Sequence, residues 1–146
     1  MAEPQHKTAG NVGIAMSKEG KAGSSPHVTR FTDLVAWREG HDLVIGVFRE
    51  TMRFPPICRA LATQMQRAAI SVTSNIAEGF GRQSIADKKH FYVIARGSTT
   101  ELQNQLLIAR DIGVCQPEVF QDLAERSILV HKLIIGLVKS IEKRRR

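Results

Sequence analysis

The side chains that could do chemistry are few, and their spacing limits what they could do. Asp87 and His90 are three apart, the spacing of half a di-iron site in a helical bundle. A full site needs that pair twice, with two further carboxylates. Glu39, His41, Glu78 and His131 could supply parts, but they sit at different depths and His131 has no acid three before it. No metal or other cofactor is expected. Ser71, Ser74, Ser98 and Ser127 have no base placed beside them and read as small packing residues. His41 and His131 flank apolar stripes, as hydrogen-bonded histidines do more often than general bases. Cys58 opens a helix, where a thiol pKa can fall, but nothing is placed to use it. Gly79-Phe80-Gly81 follows no strand, so it lacks the context of a phosphate loop. No catalytic residue is assigned, and no small-molecule substrate is expected.

Two polar groupings remain. Gln64, Arg67, Ser71, Asn75, Glu78 and Arg82 recur at helical spacing along one segment. Glu101, on the following segment, could reach them across a bundle. Such residues can form a hydrogen-bond network that fixes register. The second grouping is basic: Arg82, Lys88 and Lys89 near a turn, and Lys143, Arg144, Arg145 and Arg146 at the end. These are the candidate contacts to RNA or DNA phosphates.

Positioning either group requires helices. The chain has 146 residues, 42% hydrophobic but only 5% aromatic, so its core must be aliphatic. Proline and β-branched runs are sparse after residue 57, which favours helices over strands. The first helix is expected from about Asp33 to Met52, capped by Thr32 or Asp33, with Leu34, Trp37, His41, Val44, Val47, Phe48 and Thr51 facing the core and Leu43 and Ile45 widening the stripe. Pro55 and Pro56 end it, and Phe54 folds back over the bundle end. The second runs from Ile57 to Glu78 on Leu61, Met65, Ala68, Ala69, Val72 and Ile76, with Gly79 as a left-handed C-terminal residue. The third starts at Ser84, with Asp87 at the third helical position, and ends near Asp111 before Gly113. Its stripe is Phe91, Ile94, Ala95, Ser98, Leu102, Gln105, Leu106, Ala109 and Ile112, and Gly97–Thr100 marks a kink or a close approach. The fourth runs from Pro117 into the basic end. It is apolar over more than one face, through Leu129, Leu133 and Ile135, which points to a subunit interface or a generous core. Short links between long helices predict an all-α, up-down-up-down antiparallel four-helix bundle over residues 31–146, ending in a basic tail.

Residues 1–30 hold four of the 11 glycines and two of the five prolines, with no periodicity. They read as a flexible N-terminal arm, in which Met16 is a second plausible start. The net charge of +7 is uneven. Residues 31–141 carry 13 basic and 11 acidic side chains, and the last five residues add +3. A nearly balanced body argues against a broad nucleic-acid surface, while the tail permits phosphate contact. Two cysteines without CxxC spacing suit a reduced, cytoplasmic chain. No apolar stretch reaches 18 residues, so no membrane span is expected.

Phe31-Thr-Asp-Leu-Val-Ala-Trp37, Phe54-Pro55, Arg67-Ala-Ala-Ile-Ser71, Asn75-Ile-Ala-Glu-Gly-Phe-Gly-Arg82 and Ile94-Ala-Arg-Gly-Ser98 with Glu101-Leu102 form a recognisable series. Over about residues 31–141 the chain resembles the four-helix-bundle proteins associated with 23S rRNA intervening sequences. The resemblance implies a ring-like homopentamer without established catalytic residues. It also implies roles in bundle-end structure and subunit contact for Arg67, Asn75, Glu78, Gly79, Gly81, Arg82, Ser98 and Glu101. A more distant similarity is to the accessory protein of diversity-generating retroelements, a basic pentamer that binds nucleic acid. The near-neutral body of this chain departs from that pattern. Two functions are therefore expected: a non-catalytic homo-oligomeric scaffold, or a nucleic-acid-binding accessory protein using a basic oligomer surface.

Overall fold

The computed structural model describes residues 27–145. Most of the expected arm, and Arg146, lie outside the described residues. A short 3-10 turn, Phe31–Asp33, leads into α1, Val35–Thr51. A second 3-10 turn, Pro56–Cys58, precedes α2, Arg59–Gly81. Then follow α3, Ile85–Asp111, and α4, Pro117–Lys143. The described residues contain no strand.

Each helix packs on the next, and α1 packs on α4, so the four form a closed square. Cross-helix pairs give the directions. Thr51 meets Gln66 while Gly40 approaches Thr73, so α1 and α2 run antiparallel. Ser71 meets Ser98 while Gly79 approaches Tyr92, so α2 and α3 do the same. Lys89 meets Glu142, while Leu106 and Ser127 line one groove, which sets α3 against α4. Glu39 meets Arg126 and Glu50 meets Gln116, which closes the square with α1 antiparallel to α4. The bundle is up-down-up-down.

The core is aliphatic: Leu43, Val47, Met65, Val72, Ile76, Leu102, Leu106, Leu123, Val130 and Ile134 are all fully buried, with Tyr92 as its buried aromatic. Full burial of one such side chain contributes about 1.5–3 kcal/mol. The α2 stripe is as predicted, from Met65 to Ile76. The α1 stripe is rotated from the expected one. Leu43, Val47 and Thr51 are buried as expected, but Ala36 and Gly40 join them, while His41 is exposed and stacks on Trp37 at 4.9 Å. The reason is that α1 contacts two neighbours, and Gly40 lets α2 come close: a Cβ there would stand 3.1 Å from the Thr73 methyl. On α3, Ile94 and Ile112 lie outside the core at 38% and 54% exposure, and Tyr92 and Thr99 replace them. The Gly97–Thr100 stretch makes no break in α3. Ser98 and Thr99 are buried, which makes it a close approach rather than a helix end.

The links are built by side-chain caps. Ser84 Oγ accepts from the Asp87 amide at 3.0 Å and starts α3 as predicted. Asp33 does not cap α1. Its carboxylate accepts from the Thr29 and Arg30 amides at 3.1 and 2.9 Å and holds the preceding turn. Those backbone bonds keep its pKa below the usual carboxylate value. Gly113, at φ 77°, closes α3 in the left-handed region. Phe54 packs partly buried against the core at the bundle end.

Candidate functional site

The seam between α2 and α3 is lined by small residues: Ala68 and Ser71 on one side, Ala95 and Ser98 on the other. Small side chains let two helices approach closely and bring short hydroxyls within reach. Ser71 Oγ and Ser98 Oγ are 2.7 Å apart. Asn75 Nδ2 donates to the Ser71 carbonyl at 2.8 Å and to Ser71 Oγ at 3.1 Å. With the Ser71 oxygen accepting from Asn75, its own proton can pass to Ser98. The result is a polar lock whose partners lie at one register only. What these contacts provide is a hydrogen-bond chain from Asn75 through Ser71 to Ser98.

The rest of the predicted network is not joined to this lock. Glu101 accepts from Gln105 Nε2 at 3.2 Å within its own helix, and among the described residues it makes no bond to α2. Gln105 is 7% exposed, and its Oε1 has no partner among the described residues. Arg67 is exposed and forms no ion pair among the described residues. Glu78 and Arg82 pair with each other one turn apart, and the Arg82 guanidinium lies 4.7 Å over the Phe91 ring.

The Gly79 reading needs correcting. Gly79 is an interior residue of α2, which runs on to Gly81, and it is not left-handed. Its lack of a side chain serves packing: a Cβ there would stand 2.7 Å from the Tyr92 ring and 3.2 Å from the Lys88 carbonyl. Around Gly81 there is nothing within 4 Å of the same position, and the packing gives no reason for glycine.

The basic candidates gather at one end of the bundle, where α1 begins, α2 meets α3 and α4 ends. Residues 27–40, 75–95 and 133–145 hold nine Lys and Arg against five Asp and Glu; residues 41–74 and 96–132 hold eight against seven. The structure divides these candidates by availability. Lys88 Nζ donates to the Phe80 carbonyl at 2.7 Å and lies 3.4 Å from that of Gly79. It thus caps the last turn of α2, where a cation is favoured by the helix dipole. Burial, helped by the charge of Arg144, lowers its pKa. Lys89 pairs with Glu142 at 2.5 Å and ties α3 to α4, which lowers the Glu142 pKa. Arg82 is held by Glu78. Lys143, Arg144 and Arg145 are exposed and make no ion pair among the described residues.

Sequence reasoning missed two polar anchors. Glu50 is 4% exposed and accepts from the Gln116 amide at 3.0 Å, which caps α4 from α1. Arg126 bridges from α4 to Glu39 at 2.9 Å and Asp42 at 3.6 Å. Only the second left a trace in the sequence, as opposite charges on apolar helices. Among the described residues no three His, Cys, Asp or Glu side chains gather to hold a metal, and no helix is long and apolar enough to cross a membrane.

Residues 32–136 match the family model described as 23S rRNA-intervening sequence protein. Among solved structures, the chain is similar to a protein of unknown function from the S23 ribosomal protein family of Bacteroides thetaiotaomicron. The two are 19% identical with a TM-score of 0.66, over 72% of this chain and 99% of that one. At that identity the likeness speaks to the fold. No curated protein matches the chain. The matched span includes the serine lock and the α2–α3 turn, and it stops before Lys143–Arg145.

Proposed function

The chain belongs to the family of 23S rRNA-intervening sequence proteins, and on that premise we propose that it is a non-catalytic, homo-oligomeric interaction module of the cytoplasm. One observation carries this reading. Aliphatic side chains stand outside the core on three helices: Ile70 at 44%, Leu107 at 44%, Ile108 at 43%, Ile112 at 54%, Ile128 at 49% and Leu129 at 43% exposed. Single exposed apolar residues are ordinary, but several neighbours on the outer faces of a small bundle mark surfaces that another molecule covers. The resemblance supplies the number of copies, five, and the equality of copies accounts for a scaffold without an active centre. Size exclusion with light scattering is the test. A mass near five times 16.2 kDa is expected; a monodisperse monomer at micromolar concentration overturns the reading.

The charge at the α4 end favours a second reading, an accessory protein that binds RNA or DNA. If the copies form a ring, each presents Lys143, Arg144 and Arg145 on the same side. Weak phosphate contacts would then multiply through effective concentration. Binding to a structured RNA should weaken steeply with salt, because each neutralised phosphate releases a counterion. Absence of binding at low salt sinks this reading and leaves the first intact.

A further inference from the structure

Ile57 is 92% exposed, more than any other large apolar residue described. It sits in the Pro56–Cys58 turn behind two consecutive prolines, Pro55 and Pro56. Proline fixes φ, so this turn holds its shape without a partner, and little ordering entropy is lost on binding. Met52, nearby at the end of α1, is 71% exposed. An isolated bundle gains nothing from a rigid turn that carries a bare isoleucine.

A matching recess lies on another edge of the same chain. Between α3 and α4 is a groove of 210 Å³ walled by Leu107, Phe120, Ala124 and Ile128, with Gln103 as a polar side. It falls below the size of a typical small-molecule pocket and suits one branched side chain. The Arg110 guanidinium lies 5.0 Å over the Phe120 ring beside it.

Charge agrees with shape. Arg53 and Arg59 flank the Ile57 turn in sequence; both are exposed and neither forms an ion pair among the described residues. The first turns of α4 carry Glu118, Asp122 and Glu125, which do not line the groove, although Glu125 stands one turn from its Ile128; all three are exposed and equally without an ion pair among the described residues. Each surface keeps a charge that the other would neutralise.

Position completes the case. In the closed square, the α1–α2 edge that carries the knob stands opposite the α3–α4 edge that carries the groove. Both lie toward the same end, since the α1–α2 link, the end of α3 and the start of α4 meet there. Complementary features on opposite edges of the bundle cannot meet within one molecule. They generate a head-to-tail contact, which closes into a ring when the rotation allows.

We propose that Ile57 of one copy seats in the Leu107–Phe120–Ile128 groove of the next, with Arg53 and Arg59 against the acidic start of α4. This inference rests on the homo-oligomer reading and specifies its interface. The test uses the full chain, Ile57→Asp, which spoils the knob, and Ile128→Asp, which spoils the groove. Ile57 is 92% and Ile128 49% exposed, and circular dichroism checks that each variant folds; Leu107→Asp replaces Ile128→Asp if the latter does not. By light scattering the native chain should exceed two copies, and each variant alone should fall to the 16.2 kDa monomer. Mixed in equal amounts, the two variants should form a one-to-one pair and stop there, because one intact knob meets one intact groove. Variants that assemble as the native chain does, or a mixture that stays monomeric, overturn the proposal. A monomeric native chain instead overturns the homo-oligomer reading beneath it.

Discussion

Gly79 shows how one missing side chain sets a helix spacing. The Tyr92 ring occupies the space a Cβ would need, and that ring is 2% exposed, with little room to move. Gly79→Ala should therefore destabilise the fold by about 1–3 kcal/mol despite the better helix propensity of alanine. Gly81→Ala meets nothing, so it should be neutral or slightly stabilising. Denaturant melts of the two variants side by side check the contrast. Cys115 offers a second residue-scale test. Burial, and then the nearby Glu50 carboxylate, push its thiol up to about 11. Only the thiolate reacts, so at pH 8 a disulfide reagent should label the partly exposed Cys58 readily and Cys115 only on unfolding. The sign for stability follows. The raised thiol favours the fold below the unfolded cysteine pKa, and that contribution declines as pH rises toward 11. A fall in melting temperature over that range, smaller in Cys115→Ala though not abolished because burial also raises the Tyr92 hydroxyl, checks it.

Among the elements, the caps decide where helices begin and how they are tied together. Glu50 belongs to α1 but satisfies an orphan amide of α4. Its removal leaves that amide unpaired at the bundle end. Glu50→Ala should cost about 1–2 kcal/mol, and Glu50→Gln, which keeps an acceptor, should cost less. Thermal unfolding of both variants measures the difference. Lys88 plays the matching part at the other end, holding the last carbonyls of α2 from α3. The serine lock differs from both caps because it acts midway along two helices. Its contribution is to register more than to stability, since a partly buried neutral hydrogen bond contributes about 1 kcal/mol.

Across the described residues, the excess positive charge and most of the exposed aliphatic surface lie in different halves of the bundle. One end of the bundle is basic, and the larger share of the bare aliphatic side chains, from Met52 and Ile57 to Leu107, Ile108 and Ile112, lies toward the other, although Val35, Val93 and Ile94 are exposed at the basic end. The two functions considered above therefore fall on different parts of the surface and can be separated. A chain ending at Glu142 should keep the native mass, because the proposed knob and groove are untouched. The same truncation should lose most of any low-salt RNA binding, and with it most of the salt slope. Scattering and a salt titration on the truncated chain report the two effects independently. A loss of mass on truncation would place the tail in the assembly itself.

The sequence by itself determined the number of helices, their approximate ends and the up-down order, because proline, glycine and capping serine act through local backbone chemistry and short links leave one topology. It also placed Met65 to Ile76 inside, since α2 has a single apolar stripe of unambiguous period. Tertiary structure decided the rest. The inward face of α1 depends on Gly40 admitting Thr73, which no property of α1 alone reveals. The role of Gly79 depends on Tyr92, thirteen positions away. The division of the basic residues into Lys88 and Lys89, spent on carbonyls and a carboxylate, and Lys143–Arg145, left to solvent, depends on which partners the fold brings within reach. Ile57 and its groove were invisible for the same reason. A single exposed isoleucine has no period, and a recess exists only once two helices have packed.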